Sequence, residues 1–388
     1  MDQLSEHIAS IQDYLIAIRH DLHENPELCF EEHRTSGIVA HELNRLGFSV
    51  TTGLAGTGVV GTLQAGQGNR VVGLRADMDA LPIAETTGLA YASRTPGKMH
   101  ACGHDGHTTM VLGVARYLAE SKAFNGTVHL IFQPAEEDIS GARRMIDEGL
   151  FKQFPCDQIF ALHNIPGSPV GQVQVRAGAI TAAVDILNIT ITGVAGHGAI
   201  PHLAVDPIVA ASATVMALQT AISRDNNAAE PAVLTIGSIH GGQLATAIPE
   251  TVEMKCGLRT TSMASREKLL KRLNEIIHGQ ATSFGCSADI NYGDCIVYPV
   301  GINDAAAASL VRDVAITSGQ KAASVDIKSP FMFSEDFAFM LQETKGCYFG
   351  IGNGNSKNLH DSGYDFNDGL LQHGTEMLAR IVVKALEG

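Results

Sequence analysis

The distribution of apolar residues along the chain most constrains its fold. Short, continuously apolar segments, typical of buried strands, recur at residues 59–63, 71–74, 128–132, 159–162 and 348–351. Segments with helical apolar spacing accompany them at 4–21, 32–46, 108–120 and 142–148. Short apolar strands that alternate with helices predict a buried, mostly parallel α/β sheet.

Residues 182–292 follow a different pattern. Apolar and polar residues alternate at 187–192 and 252–259, and amphipathic helices are predicted at 206–223 and 264–283. With further strands at 232–239 and 286–292, the predicted order is βαββαβ, which suits a sheet with one solvated face. Segments of the first kind resume afterwards. We therefore predict an α+β ferredoxin-like domain at 182–292, inserted into an α/β domain formed by 1–181 and 293–388.

Charge and composition exclude several functional classes. The chain has 27 Lys and Arg against 41 Asp and Glu, a formal net charge of −14, and no basic run. Such a chain is not expected to bind nucleic acid or an anionic membrane surface. No apolar stretch reaches the roughly 18–20 residues of a membrane span, and the first residues do not resemble a signal peptide. With seven cysteines in 388 residues, we expect reduced thiols and a soluble, cytoplasmic protein.

Residues suited to metal binding or acid–base chemistry cluster where the predicted strands end. They lie in five short segments: RADMD at 75–79, MHACGHDGH at 99–107, QPAEE at 133–137, HN at 163–164 and NLHD at 358–361. Open α/β sheets bind ligands at the carboxyl ends of their strands, so we expect these segments to converge. A mixed set of Cys, His and carboxylate donors suits Zn²⁺, Mn²⁺ or Co²⁺. Of the adjacent Glu136 and Glu137, one can bind metal while the other takes a proton from water.

Each of these residues also has a simpler interpretation. Taken alone, Cys102 is more often an inert buried thiol than a ligand, and His163 or His360 is more often an ordinary hydrogen-bonded residue. A nucleophilic pair of Cys102 and His104 is a chemical alternative, although their spacing on a turn does not readily let the imidazole deprotonate the thiol. A non-catalytic binding protein is a third alternative, which the completeness of the donor set disfavours.

Further sequence blocks accompany these segments in a fixed order. They are RHDLHENPE at 19–27, LRADMDALP at 74–82, GHGAIPH at 196–202 and SEDF at 334–337. Together with the segments around Cys102, Glu136 and His360, they resemble the M20 metallopeptidase and amidohydrolase family. The resemblance covers nearly the whole chain and is specifically to the aminoacylase and hippurate-hydrolase branch, which includes the auxin-conjugate hydrolases.

The resemblance implies a fold and a ligand set. The fold is an aminopeptidase-like α/β catalytic domain with an inserted lid and dimerisation domain. Cys102 would bridge two divalent metal ions. The other ligands would be His104 and His163 for one ion, and Glu137 and His360 for the second.

The resemblance also implies roles for residues around the ions. Glu136 would be the general base that activates a bridging water. Asp77 and Asp79 would orient the metal ligands, with a strand-end capping role as the simpler alternative.

Three residues of the inserted domain would contact substrate. His197 would reach the active site of the partner subunit and stabilise the oxyanion there. Arg259 would bind a substrate carboxylate, since a bidentate guanidinium fits that group. Thr246 stands where family members usually carry Asn, and its single hydroxyl offers fewer hydrogen-bonding groups to a substrate than an amide does.

We therefore predict a dinuclear metal-dependent amidohydrolase that cleaves N-acyl amino acids. A dipeptidase or aminopeptidase of the same family is the nearest alternative. The substrate would be a small N-acyl amino acid or dipeptide, and the chain would form a homodimer through the lid.

Overall fold

The computed structural model describes residues 2–137, 141–292, 298–318 and 325–387. The helices in this part of the chain are α1 (Gln3–Ser10), α2 (Gln12–Glu24), α3 (His33–Arg45), α4 (His104–Ser121), α5 (Gly141–Asp147), α6 (Leu150–Gln153), α7 (Pro207–Thr220), α8 (Met263–Ser283), α9 (Ala305–Thr317), α10 (Phe337–Glu343) and α11 (Gly369–Glu387). The strands are β1 (Ser49–Leu54), β2 (Gly58–Ala65), β3 (Val71–Asp77), β4 (Gly126–Gln133), β5 (Gln158–Pro166), β6 (Val173–Val175), β7 (Gly178–Thr181), β8 (Ala183–Thr192), β9 (Gly196–His197), β10 (Ala232–Gly241), β11 (Ala247–Ile248), β12 (Thr251–Thr260), β13 (Ser287–Asn291), β14 (Gly301–Asn303), β15 (Val325–Asp326) and β16 (Gly346–Gly354).

The chain divides into two compact units. The first comprises residues 1–180, 301–328 and 336–388, and the second comprises 181–300 and 329–335. The sequence pattern assigned 329–335 to the first domain, whereas these residues group with the second unit. The predicted return to the first domain at residue 293 lies outside the described residues.

An eight-stranded sheet forms the centre of the first unit, in the order β1-β2-β4-β3-β5-β16-β6-β15. Its middle strands β4, β3, β5 and β16 are parallel, whereas β1, β2 and β6 pair antiparallel to their inner neighbours. The parallel strands are almost fully buried, which explains their continuous apolar runs. The predicted α/β sheet is therefore present, with antiparallel strands on its flanks.

The predicted N-terminal helix at 4–21 is divided in two. Ile11 leaves helical geometry, with φ −104° and ψ 8°, and separates α1 from α2. Ile8, Ile11 and Leu15 are nevertheless all buried in the same core. Because the apolar spacing continues across the break, the sequence pattern does not show that the helix is interrupted.

The second unit contains a four-stranded antiparallel sheet in the order β10-β12-β8-β13. Helices α7 and α8 pack their buried residues against this sheet. The predicted βαββαβ order is thus present, although the helix predicted at 206–223 gives way after Thr220 to a π-helical turn. The pair of short strands β9 and β11 was not predicted.

No helix in the described part of the chain is both long and apolar enough to cross a lipid bilayer.

Candidate metal centre

The carboxyl ends of the parallel strands bring the predicted site residues of the first unit together. Asp77 ends β3, Glu136 and Glu137 follow β4, and His163 lies within β5. Two further segments complete the site: the turn that enters α4 and the loop after β16. They supply Cys102, His104 and His360.

Gly103 makes the turn between Cys102 and His104 possible. Its φ is +96°, a left-handed conformation that other residues adopt at a cost. A Cβ atom at this position would lie 2.4 Å from Oδ1 of Asn164 and 2.9 Å from the hydroxyl of Tyr364. Glycine therefore lets both neighbouring side chains enter one pocket.

The candidate ligands form two groups that share Cys102. One group contains Cys102, His104 and His163, and the other contains Cys102, Glu137 and His360; within each group the donor atoms lie within 4.8 Å of one another. Sγ of Cys102 is 3.4 Å from Nε2 of His163. Nε2 of His360 is 3.1 Å from Oε1 of Glu137. The resemblance implies these two sets of residues as ligands, and their assignment to two ions stays a prediction.

Hydrogen bonds at Nδ1 orient two of the imidazoles. Nδ1 of His104 lies 2.9 Å from the carbonyl oxygen of Asp79 and 3.2 Å from its Oδ1, while Nε2 has no hydrogen-bond partner among the described residues. Nδ1 of His163 lies 2.8 Å from the carbonyl oxygen of Asn164. When Nδ1–H donates to these oxygens, the lone pair of Nε2 faces the pocket, as in protein metal sites.

Asp79 also fixes the second group. Its Oδ2 accepts the backbone N–H of Glu137 at 2.9 Å. His360 has φ +65° and donates its own N–H to the carbonyl of Ala101 at 2.8 Å. Each side of the candidate centre is thus tied to the protein backbone.

Glu136 is a buried carboxylate beside the two groups of candidate ligands. It is 7% exposed, and its carboxylate lies within 4.8 Å of donor atoms of His104 and Glu137. A buried carboxylate beside the ligands is close enough to exchange a proton with a water molecule held among them.

Asp77 lies at the centre of a buried polar network. Its Oδ1 is 2.7 Å from Nδ1 of His107, and its Oδ2 accepts from Arg75 at 2.7 Å. Nε2 of His107 in turn lies 2.7 Å from Oδ1 of Asn164. Sequence reasoning assigned no definite role to His107, Arg75 or Asn164, although all three lie in or beside the quoted segments.

A second network missed by sequence reasoning anchors the end of β4. Gln133 accepts from Arg75 at 2.8 Å and donates to both carboxylate oxygens of Asp336 at 2.8 Å. Asp336 also accepts the N–H of Ala142 at the start of α5. The SEDF block that contains Asp336 was the available signal, but nothing local to it identified its distant partners.

The electrostatics of the pocket favour a cation. Burial, reinforced by the charges of Glu137 and Glu136, raises the pKa of the Cys102 thiol. Burial alone would lower the pKa of His104, but Asp77 and Asp79 outweigh it and raise that pKa to about 10. These shifts arise because several carboxylates lie close together in a buried space. A cation bound there would reduce their mutual repulsion.

The donor set fits divalent metal ions. A thiol, imidazole nitrogens and a carboxylate converge in two groups, and Nδ1 of both His104 and His163 is hydrogen-bonded to a backbone oxygen. Zn²⁺, Mn²⁺ and Co²⁺ all accept such mixed ligands.

The predicted substrate contacts lie in the second unit. His197 in β9 and the exposed Thr246 are neighbours, because Ala247 pairs with His197 and the carbonyl of Thr246 accepts the N–H of Gly198 at 2.8 Å. Arg259 lies apart from them on β12, where it is partly buried and donates to the carbonyl of Met332 and the hydroxyl of Ser334, each at 3.1 Å.

The chain is similar to proteins described as a hippurate hydrolase and as an IAA-amino acid hydrolase. A hippurate hydrolase from Campylobacter jejuni is 39% identical over 98% of both chains. An IAA-amino acid hydrolase from Arabidopsis thaliana is 36% identical over 96% of this chain and 87% of the plant protein.

A solved structure and a family model also match the chain. A Bacillus subtilis protein described as a dinuclear metal-binding peptidase of the M20 family superposes with a TM-score of 0.84, at 30% identity and with 98% and 99% of the two chains covered. The sequence model of peptidase family M20/M25/M40 matches residues 73–384. These similarities confirm the predicted α/β fold class.

Proposed function

The chain belongs to peptidase family M20/M25/M40, and from that premise we propose that it hydrolyses the amide bond of N-acyl amino acids at a centre for two divalent metal ions. The products are a carboxylic acid and a free amino acid. The observation that carries this proposal is the pair of ligand groups that share Cys102, with the buried Glu136 beside them.

Five residues would hold the ions: Cys102 between them, His104 and His163 on one side, and Glu137 and His360 on the other. The chemistry that bound divalent ions supply at such a centre is a lower pKa for water and a polarised amide carbonyl. Asp79 keeps two of these ligands in place, through the Nδ1–H of His104 and the backbone N–H of Glu137.

Glu136 would move the proton. Its carboxylate accepts a proton from the attacking water and then delivers it to the amide nitrogen, so that the leaving group departs as an amine. Its low exposure keeps bulk water from competing for that proton.

Residues of the second unit would recognise the substrate. Arg259 is assigned to the substrate carboxylate, because its partly buried guanidinium can form two parallel hydrogen bonds with that group. His197 of the partner subunit would donate to the oxygen of the scissile carbonyl, where negative charge develops. Thr246 immediately precedes β11, and Ala247 of that strand pairs with His197, so Thr246 would contact the same end of the substrate as His197.

If His197 acts in the partner's site, the second unit would serve as a lid and the protein would be a homodimer. Strand β10 has a partner on only one side within the described sheet. Helix α7 exposes apolar side chains, including Val209 at 49% and Met216 at 72%. A second copy would cover both features, by strand pairing along β10 and by packing of α7 against its symmetry mate.

A substrate panel tests the proposed function. The protein is purified without metal, reconstituted separately with Zn²⁺, Mn²⁺ or Co²⁺, and assayed on hippurate, N-acetyl amino acids, indole-acetyl amino acids and dipeptides. We expect metal-dependent release of amino acid from one or more N-acyl substrates, and loss of activity with EDTA or phenanthroline. Activity on dipeptides alone would identify a dipeptidase or aminopeptidase, and activity that survives chelation would favour a thiol hydrolase that uses Cys102.

A further inference from the structure

Besides His360, two residues other than glycine adopt left-handed backbone conformations in segments that meet beside the candidate centre. Phe30 has φ +62° and Ala135 has φ +54°. Residues with a Cβ atom rarely hold this conformation unless their surroundings enforce it. Ala135 immediately precedes Glu136 and Glu137, so its conformation sets the direction in which the chain presents both carboxylates.

One buried carboxylate holds both of these residues. Oε1 of Glu32 accepts the N–H of Phe30 and the N–H of Ala135, each at 3.0 Å. Oε2 of Glu32 accepts the hydroxyl of Thr57 at 2.6 Å, and Glu32 is 0% exposed. The bond to Ala135 joins residues that are 103 positions apart in the chain.

Local secondary structure does not account for this carboxylate. Glu32 precedes α3 at the N-cap position, but its side chain makes no capping hydrogen bond to that helix. Its hydrogen bonds go instead to Phe30, Ala135 and Thr57. A buried carboxylate loses much of its hydration, and its hydrogen bonds to these partners compensate for the free-energy cost of that loss.

The turn formed by Ala135, Glu136 and Glu137 is also held by hydrogen bonds at its other end. Asp79 accepts the N–H of Glu137 at 2.9 Å, and the carbonyl of Ala135 accepts the N–H of Gly141 at 3.2 Å. Because Glu137 is anchored, a change in the backbone conformation of Ala135 would mainly displace Glu136. We propose that Glu32 is a positioning residue that holds Ala135 in its left-handed conformation, and thereby aims Glu136 and Glu137 at the metal centre.

The proposal rests on the proposed function, and its test begins with Glu32→Ala. We expect a fall of about 10–100-fold in kcat or in metal affinity, as is typical when a partner behind a metal site is lost. Metal affinity is measured without substrate, by titration with Co²⁺ and detection of the thiolate-to-cobalt absorption of Cys102. The melting temperature is recorded for every variant.

Two further variants separate positioning from general stability. Glu32→Gln keeps a carbonyl oxygen for the N–H of Ala135 and an amide N–H for Thr57, and should retain activity within a few-fold of wild type. Ala135→Gly, made in the Glu32→Ala background, should recover part of the lost activity, because glycine adopts positive φ without support. Its melting temperature should change little, because the strain that glycine relieves at positive φ offsets the freedom that it adds to the unfolded chain.

Thr57→Val is the matched control, because it removes a hydrogen bond from the same carboxylate without touching the turn. We expect it to lower the melting temperature and leave kcat and Co²⁺ affinity near wild type. The proposal is overturned if a folded Glu32→Ala variant keeps wild-type kcat and Co²⁺ affinity. It is also overturned if Glu32→Gln is as impaired as Glu32→Ala, or if Ala135→Gly restores nothing. A wild-type protein that neither binds Co²⁺ nor hydrolyses the panel would instead refute the proposed function itself.

Discussion

Replacing Asp79 with asparagine should weaken metal binding without unfolding the protein. Asp79 is 1% exposed, and its two oxygens serve different ligands: Oδ1 faces Nδ1 of His104 at 3.2 Å, and Oδ2 accepts the N–H of Glu137 at 2.9 Å. Asparagine has the same shape but only one acceptor oxygen. In either orientation of the asparagine side chain, its NH₂ group must face Nδ1–H of His104 or the N–H of Glu137, both of which donate to the carboxylate in the wild type.

The size of the effect follows from this mismatch. A buried donor left without its acceptor costs about 1–3 kcal/mol. Partners behind metal ligands typically contribute 10–100-fold to affinity, which is about 1.4–2.7 kcal/mol. The two values agree, so we expect Asp79→Asn to bind metal about 10–100-fold more weakly.

The assay is a competition between the apo-protein and a chelator of known affinity for Zn²⁺. Asp157→Asn is the matched control, because Asp157 accepts the N–H of Val71 at the opposite end of β3, far along the strand from the centre. The control should bind Zn²⁺ as wild type does. If Asp79→Asn also keeps wild-type affinity, Asp79 does not orient the ligands, and the interpretation of its hydrogen bonds is wrong.

Three other predictions concern the dimer, a buried histidine and the substrate contact. Met216→Lys on α7 should weaken the dimer at least about tenfold, as seen by sedimentation at several concentrations, because a charge replaces an apolar contact; an unchanged dimer would place the interface elsewhere. Burial lowers the pKa of His23, but hydrogen bonds to Asp105 and Glu85 outweigh it and raise the pKa to about 9. Protonated His23 therefore stabilises the fold fully below its unfolded pKa of about 6.5, and this contribution, roughly 3 kcal/mol at most, is lost as pH rises through about 9. The difference in unfolding free energy between wild type and His23→Gln should accordingly shrink over that range, and a constant difference would contradict the assignment. Thr246→Asn should lower KM for N-acyl amino acids about two- to tenfold at unchanged kcat, since it adds an amide hydrogen bond; an unchanged KM would remove Thr246 from the substrate site.

The elements that sequence predicted best are those with local signals. The strands β3, β4, β5 and β16 are buried on both faces, so each appears as a continuous apolar run. Since parallel strands direct their carboxyl ends to one edge, the convergence of Cys102 with the other candidate ligands followed from their positions in the sequence.

Features that depend on distant partners were not predictable in this way. The bond from Glu32 to Ala135 and the bonds from Gln133 to Asp336 link residues more than 100 positions apart, and no periodicity signals them. The break at Ile11 was hidden for a different reason, because its side chain continues the apolar stripe across the two helices. Local patterns identify which residues carry the chemistry, but not the contacts that hold them in position.

The role of Glu136 as general base is tested most sharply by kcat for the preferred N-acyl amino acid, measured for wild type and Glu136→Gln on samples whose metal content is determined in parallel. We expect two metal ions per chain in both proteins, and a kcat about 10²–10⁴-fold lower in the variant. Glu120→Gln, an exposed change on α4, should match wild type. A metal-loaded Glu136→Gln enzyme with wild-type kcat would contradict the role of Glu136 as the base, and with it the proposed mechanism.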